Sequence, residues 1–189
     1  MPELSHVLVH TAYANSRATQ FLTNSKVHVQ CVPTGVKYAE PVVHEYTIGA
    51  NDEPNGHGTI AIKWDLLDKA LAGKEDQLAC KKLKALLRIS NPYVGDAIAN
   101  LLMIEAVLRD KSMTIDQLSN IYRDNPAQMY KAVVKDRTKF KVTKDETRLV
   151  QPEALQAFID QASQKVDGGR AFVRPSGTED ILRLFVEAT

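Results

Sequence analysis

The first 64 residues alternate short apolar runs with stretches of helical character, and this alternation restricts the fold more than any other feature. Apolar runs typical of β-strands lie at 7–10, 27–32, 47–51 and 59–64. Helical segments are predicted at 16–22 and 36–46, although Pro41 is expected to break or shift the second. Strand–helix–strand repeats predict an α/β layer with a mostly parallel sheet. The last two strands, joined by a Gly-rich turn, are expected to pair antiparallel.

The period becomes helical at Asp65, and one or two helices interrupted by Gly73 are predicted before an Asn-Pro-Tyr-Val-Gly segment breaks the pattern. Asp96 and Thr114 are the expected N-caps of two further helices. The later predicted elements are strands at 129–137, 170–174 and 181–188 and a helix at 151–166. We therefore expect an α/β unit at 1–72, a helical linker at 73–94 and an α+β unit at 95–189.

Composition excludes several classes of protein. The chain has 189 residues, of which 44% are hydrophobic and 25% charged, as in soluble globular proteins. A net charge of +1 gives no electrostatic reason to expect nucleic acid or an anionic membrane as a partner. No signal peptide or membrane span is apparent, and Cys31 and Cys80 are expected to be reduced thiols. These features predict a cytoplasmic protein.

A turn near the C-terminal end carries more hydrogen-bond donors than a hairpin requires. A phosphate dianion favours a planar guanidinium, hydroxyl groups and backbone N–H groups that it can approach closely. Arg174 provides the first, Ser176 and Thr178 the second, and Gly177 the third. The same composition also fits a polar hairpin loop in which Arg174 merely pairs with Glu179.

A second polar loop joins the last two predicted strands of the first unit. Glu53, Asn55 and His57 lie in it at alternate positions. A carboxylate, an amide and an imidazole together suit the hydroxyls of a sugar, which both donate and accept hydrogen bonds. An ordinary turn is one alternative. A metal site formed by Asp52, Glu53 and His57 is another, although no further His or Cys lies nearby at ligand spacing.

Several motifs together resemble those of a known family, in the same order and over nearly the whole chain. They are TAYAN (11–15), PTGVK (33–37), EPNGHGT (53–59), GDAI (95–98) and RAFVRPSGTED (170–180). On these motifs the chain resembles the C-terminal part of the eukaryotic phosphoacetylglucosamine mutases, in the α-D-phosphohexomutase superfamily. The Asn-Gly-His loop distinguishes this family from its hexose and mannose relatives.

The resemblance implies an incomplete third phosphohexomutase domain of α/β class, followed by a fourth domain of α+β class that resembles the TATA-binding-protein fold. It implies that the substrate sugar is bound by Glu53, Asn55 and His57, with Lys37 either reaching the same cleft or remaining a solvated lysine. It also implies that the substrate phosphate is bound by Arg174, Ser176, Gly177 and Thr178.

Enzymes of this family interconvert N-acetylglucosamine 6-phosphate and 1-phosphate for UDP-N-acetylglucosamine synthesis, using a phosphoserine loop and a Mg²⁺ loop. Neither motif is found here, because Ser5-His6 lacks a following Asn-Pro and Ser90-Asn91-Pro92 lacks a His. We therefore expect a fragment that lacks a helix at each end and is inactive alone. The Mg²⁺ ligands are expected in missing N-terminal domains. A non-catalytic sugar-phosphate binding or interaction module is the alternative.

Overall fold

The first sheet matches the predicted arrangement. The computed structural model describes residues 4–53, 57–92 and 94–189. The strands of this sheet are β1 (His6–Thr11), β2 (Val29–Val32), β3 (Ile48–Asp52) and β4 (Gly58–Ile62). They lie in the order β2-β1-β3-β4. β1 is parallel to both β2 and β3, whereas β3 and β4 are antiparallel.

Helices cover both faces of this sheet, as expected for strands with two apolar sides. The helices of this part of the chain are α1 (Ser16–Asn24), α2 (Val36–Val43), α3 (Trp64–Ala70) and α4 (Leu78–Leu87). On one face α2 packs against β1, with Val43 beside Val7 and Val9. On the other face α3 and α4 pack through Leu67 and Leu87. The prediction of an α/β layer is confirmed.

α2 continues through Pro41, so the expectation that this residue would break or shift the helix is wrong. Pro41 lies near the end of the helix, where it removes one hydrogen bond and only two residues follow it. Ala39 and Val43 are buried against the sheet, and this packing holds the short helix together. The approach is close, because a Cβ at position 49 would lie 2.1 Å from the Val43 carbonyl oxygen. Gly49 therefore permits the contact.

Two helices connect the sheets, α5 (Ala97–Lys111) and α6 (Ile115–Ser119). Their predicted caps are confirmed, since the Asp96 side chain accepts from two backbone N–H groups and Thr114 forms a capping box with Gln117. An ion pair between Lys82 and Asp110 joins α4 to α5. No helix in the described ranges is long and apolar enough to cross a membrane.

The second sheet is formed by β5 (Ala127–Val133), β8 (Arg170–Pro175) and β9 (Ile181–Glu187). It is antiparallel, with the strand order β5-β9-β8. One face packs against α7 (Glu153–Gln164) and a short hairpin of β6 (Lys141–Val142) and β7 (Leu149–Gln151). The strand predicted to reach residue 137 ends at Val133. Arg137 instead begins a turn of 3₁₀-helix, in which Asp136 caps the Thr138 N–H.

The opposite face of the second sheet packs against the loop that follows β1. Phe172 and Phe185 are buried there together with Ala12, and both rings contact Tyr13. Polar groups flank these rings. The Arg170 guanidinium donates to the carbonyl oxygens of residues 12 and 14 and pairs with Glu187 at 2.6 Å. The two sheets are therefore held in one arrangement.

The carboxylate of Glu187 is fully buried at this contact and accepts several hydrogen bonds. Besides Arg170, it accepts from the backbone N–H and the hydroxyl of Ser16 and from the side-chain amide of Asn125. Burial alone would raise the pKa of Glu187, but the hydrogen bonds from Ser16 and Arg170 outweigh it and lower the pKa below its ordinary value. The ionised form is thus favoured by folding.

This lowered pKa predicts a loss of stability in acid. A group whose pKa is depressed in the folded state contributes stability above its unfolded pKa, about 4.3 for Glu, and loses it as the pH falls through the folded value. Other acidic groups contribute as well, so the matched control is Glu187→Gln. We expect a smaller fall in its unfolding free energy between pH 7 and pH 3 than in the wild-type chain, measured by urea denaturation. Identical pH profiles would contradict this assignment.

Candidate functional site

The two sheets enclose a cleft of about 570 Å³ along their contact. This volume lies within the range of about 300–1,000 Å³ that is typical of small-molecule sites. Residues from both predicted loops line it. They are Glu53, Arg174, Ser176, Gly177 and Thr178. The fold therefore brings together side chains that are more than 120 positions apart in the chain (53 against 174).

Arg174 is buried, with 8% of its surface exposed, and its guanidinium is held on two sides. Its Nε donates to the Tyr13 hydroxyl at 3.0 Å, and its Nη1 donates to the carboxylate of Glu146 at 3.2 Å. The alternative in which Arg174 pairs with Glu179 is not what the structure has. Glu146 lies in the β6–β7 turn, which the sequence analysis did not identify.

The turn after Arg174 lines the cleft with Ser176, Gly177 and Thr178, and hydrogen bonds hold its backbone in place. The Ser176 N–H closes the turn on the carbonyl of Ile181 at 2.9 Å, and the Ser176 hydroxyl accepts weakly from the Thr178 N–H at 3.4 Å. Arg137 fastens the turn from outside by donating to the Gly177 carbonyl at 3.1 Å. A Cβ added to Gly177 would meet no atom within 4 Å. The turn is thus fixed, with open space beside its glycine.

The predicted sugar-binding residues have different locations. Glu53 lines the cleft, and its backbone N–H donates to the His57 carbonyl across the loop at 3.0 Å. The His57 ring lies against Gly95, where a Cβ would come within 2.4 Å of Cε1. Asn55 lies outside the described residues. Lys37 is exposed, with its ammonium 4.8 Å from the centroid of the Tyr38 ring.

Other lining residues were not identified from the sequence as site residues, including Thr11, Tyr13, Thr34 and Arg183. Thr11, Tyr13 and Thr34 belong to motifs that carried the family resemblance, but nothing in their spacing indicated a cleft. Arg183 is the cross-strand neighbour of Arg174, so the strand pairing brings a second guanidinium to this face. The buried hydroxyl of Thr11 has no hydrogen-bond partner within the described ranges.

The cleft is electrostatically asymmetric. Its β8–β9 end carries the two arginines, one of them bonded to Glu146, whereas Glu53 lies at its β3 end. Desolvation and the neighbouring charge of Glu53 raise the pKa of Asp52. Burial raises the pKa of the nearby Cys31 thiol to about 11, so it is protonated at neutral pH and is not a nucleophile. The arrangement suits a ligand with an anion at one end and hydroxyls at the other.

His, Cys, Asp and Glu side chains do not form a metal-binding cluster among the described residues. Across residues 4–53, 57–92 and 94–189, no group of three or more His, Cys, Asp or Glu side chains is arranged to hold a metal ion. Cys31 and Cys80 are both free thiols.

Two sequence families match the chain in adjacent parts. The model of the family described as "Phosphoacetylglucosamine mutase AMG1, domain III" matches residues 2–113. The chain belongs to the phosphoacetylglucosamine mutase family. The model of the family "Phosphoglucomutase/phosphomannomutase, C-terminal domain" matches residues 131–189, which include the second sheet. These matches confirm that the chain belongs to the phosphohexomutase superfamily, as the motifs implied.

Curated relatives agree with this assignment. The phosphoacetylglucosamine mutase of Arabidopsis thaliana is 36% identical over 193 aligned positions, which cover 96% of this chain and 35% of the relative. That of Homo sapiens is 39% identical over 188 positions, covering 96% of this chain and 34% of the relative. The chain thus spans about a third of the length of these relatives.

Solved structures match the fold closely. A crystal structure of an N-acetylglucosamine-phosphate mutase in its substrate complex is 36% identical, with a TM-score of 0.91 over 98% of this chain and 36% of that one. The Aspergillus fumigatus N-acetylphosphoglucosamine mutase, in complex with GlcNAc-6P and magnesium, has a TM-score of 0.88 at 34% identity. It is covered over 38% of its length, and this chain over 97%. The mixed α/β architecture is therefore that of the C-terminal part of phosphohexomutases.

Proposed function

We propose that this chain is the substrate-binding part of a phosphoacetylglucosamine mutase, which interconverts N-acetylglucosamine 6-phosphate and N-acetylglucosamine 1-phosphate. The observation that carries the proposal is the shared cleft. Its lining joins a carboxylate on one loop to a guanidinium, hydroxyls and an open glycine on the other. These are the groups that recognise the two ends of a sugar phosphate.

We assign the phosphate to the turn after β8. Arg174 and Arg183 supply positive charge there, Ser176 and Thr178 supply hydroxyls, and Gly177 leaves the backbone accessible. Because Arg174 is buried, its charge is screened less by solvent than that of a surface arginine. The phosphate group that is not being transferred would be held here, and the opposite end of the sugar would face the catalytic groups.

We assign the sugar hydroxyls to the β3–β4 loop. Glu53 supplies a carboxylate to the cleft, and His57 and Asn55 belong to the same loop. The role of Lys37 stays a prediction, since it lies on α2 as an exposed residue rather than in the cleft lining. A loop that binds hydroxyls by both accepting and donating would tolerate the two orientations that a 1,6-interconversion requires.

The chemical step itself is assigned to parts of the family enzyme outside these 189 residues. Phosphoryl transfer needs an in-line nucleophile and a cation that neutralises charge on the transferring oxygens. We propose that the phosphoserine and the Mg²⁺ ligands lie in N-terminal domains of the same enzyme.

The division of this chain into units at 1–72 and 95–189 also stays a prediction. The match to the family's domain III extends to residue 113 and includes α5.

The proposal predicts that N-acetylglucosamine 6-phosphate stabilises the purified chain. At a ligand concentration 100 times Kd, the native state gains about 2.7 kcal/mol, which raises the unfolding midpoint by about 5–11 °C for a chain of this size. Arg174→Ala removes a charged hydrogen bond worth about 1.5–3 kcal/mol, so Kd should rise about 10- to 150-fold. Thermal-shift titration measures both effects.

Each variant is compared with its own ligand-free midpoint, because Arg174 also contacts Tyr13 and Glu146. The control is Arg109→Ala, which removes an exposed guanidinium on α5 and should leave the ligand-induced shift unchanged. Equal shifts in the wild-type chain and Arg174→Ala would refute the assignment of the phosphate. A folded wild-type chain without any shift would refute binding by this chain.

Gly177→Ala separates binding from stability. The added methyl group meets no atom of the chain within 4 Å, so we expect the unfolding free energy to change by less than about 0.5 kcal/mol. A phosphate that approaches the Gly177 backbone would be obstructed, and we expect Kd to rise about tenfold, equivalent to about 1.4 kcal/mol. Isothermal titration calorimetry and urea denaturation test the two parts. Unchanged affinity would place the phosphate elsewhere.

A further inference from the structure

The β6–β7 turn holds Glu146 in an unusual backbone conformation. Glu146 has φ +60°, a left-handed value that is uncommon for residues other than glycine, asparagine and aspartate. Several hydrogen bonds stabilise the turn around it, among them Thr143 N–H to the Arg148 carbonyl and Glu146 N–H to the Thr143 carbonyl. The Asp145 side chain accepts from the Thr143 hydroxyl and the Thr147 N–H. A strained residue that its surroundings keep in place suggests a functional role.

The Glu146 carboxylate bridges two parts of the cleft wall. It accepts from the backbone N–H of Thr34 at 3.0 Å and from the Thr34 hydroxyl at 2.9 Å. It also accepts from Nη1 of Arg174 at 3.2 Å. Both charged side chains are nearly buried, with 10% of Arg174 and 17% of Glu146 exposed. The carboxylate therefore ties the loop after β2 to the guanidinium on β8.

The hydrogen bonds of Arg174 leave one edge of its guanidinium available. Nε donates to the Tyr13 hydroxyl, and Nη1 donates to Glu146 and, at 3.5 Å, to the Pro175 carbonyl. Within the described ranges, Nη2 donates to no protein group, while Arg174 itself lines the cleft. A guanidinium fixed along two of its nitrogens has little rotamer freedom left to lose when it binds an anion.

We propose that Glu146 is a positioning residue, which orients Arg174 so that its remaining donors meet the phosphate of the ligand. The inference rests on the proposed function, because it takes the anion to be the phosphate of an N-acetylglucosamine phosphate. The inference predicts the direction in which Glu146 changes the affinity for the anion. A carboxylate beside an anion site repels the anion, and thus weakens binding if repulsion is its only effect. Positioning has the opposite consequence, so Glu146 strengthens binding despite its charge.

The experiment is calorimetric titration of N-acetylglucosamine 6-phosphate into the wild-type chain, Glu146→Gln and Glu179→Gln at one ionic strength. Glu179 is an exposed acidic residue in the same turn as the phosphate donors, so its variant makes the same change of charge without touching the guanidinium. We expect Glu146→Gln to raise Kd about tenfold and Glu179→Gln to leave Kd unchanged or lower it. Tighter binding by Glu146→Gln, or equal values for the two variants, would overturn the inference.

A second comparison separates positioning from general loss of structure. We expect Glu146→Gln to change Kd less than twofold when Arg174 is already lysine, because the residue acts through the guanidinium. The same tenfold loss in both backgrounds would overturn the inference in favour of a structural role. If Arg174→Ala abolishes the binding seen in the wild-type chain and Glu146→Gln preserves it, this inference alone is overturned. A folded wild-type chain that binds no ligand overturns the proposed function, and this inference with it.

Discussion

Arg170 and Glu187 lie opposite each other on β8 and β9, and between them they hold the loop that follows β1. The guanidinium donates to two carbonyl oxygens of that loop, and the carboxylate accepts from the N–H and the hydroxyl of Ser16, the first residue of α1. The Glu187 carboxylate is fully buried, whereas 32% of the Arg170 side chain is exposed. Burying the carboxylate without partners would be costly, so it requires Arg170 and Ser16 in a single geometry. Asn125 joins the same cluster. The relative position of the two sheets depends on this contact.

The cleft follows from that position. Because side chains alternate along a strand, Arg170, Phe172 and Arg174 lie on the same face of the second sheet. Arg170 anchors the loop, Phe172 packs on Tyr13, and Arg174 donates from Nε to the Tyr13 hydroxyl. The same strand thus joins the structural contact to the proposed phosphate site. Glu53 reaches this cleft only because β3 lies beside β1 in the first sheet.

Much of this architecture could be predicted from the sequence, because apolar period and capping residues act locally. The parallel sheet, the antiparallel β4 and the helix caps at Asp96 and Thr114 follow from such signals. The β6–β7 hairpin does not, since strands of two and three residues have no measurable period. Glu146 and Thr34 are 112 positions apart, and no local pattern indicates their contact. The predicted boundary at residue 95 rested on a local Asn-Pro signal and stays a prediction, and the model of the family's domain III matches residues 2–113. The residue types of the two loops made them candidates and the motif resemblance gave them roles, but only the fold brings them to one cleft.

One cleft, assembled from two loops distant in sequence, is proposed to bind a sugar phosphate in a defined direction. The decisive measurement is a crystal structure of the chain with N-acetylglucosamine 6-phosphate. We expect phosphate oxygens within hydrogen-bonding distance of Arg174 and of the Ser176–Thr178 turn, with the sugar hydroxyls towards Glu53. A ligand bound in the reverse direction, with its phosphate at the β3–β4 loop, or bound at another surface of the molecule, would contradict it.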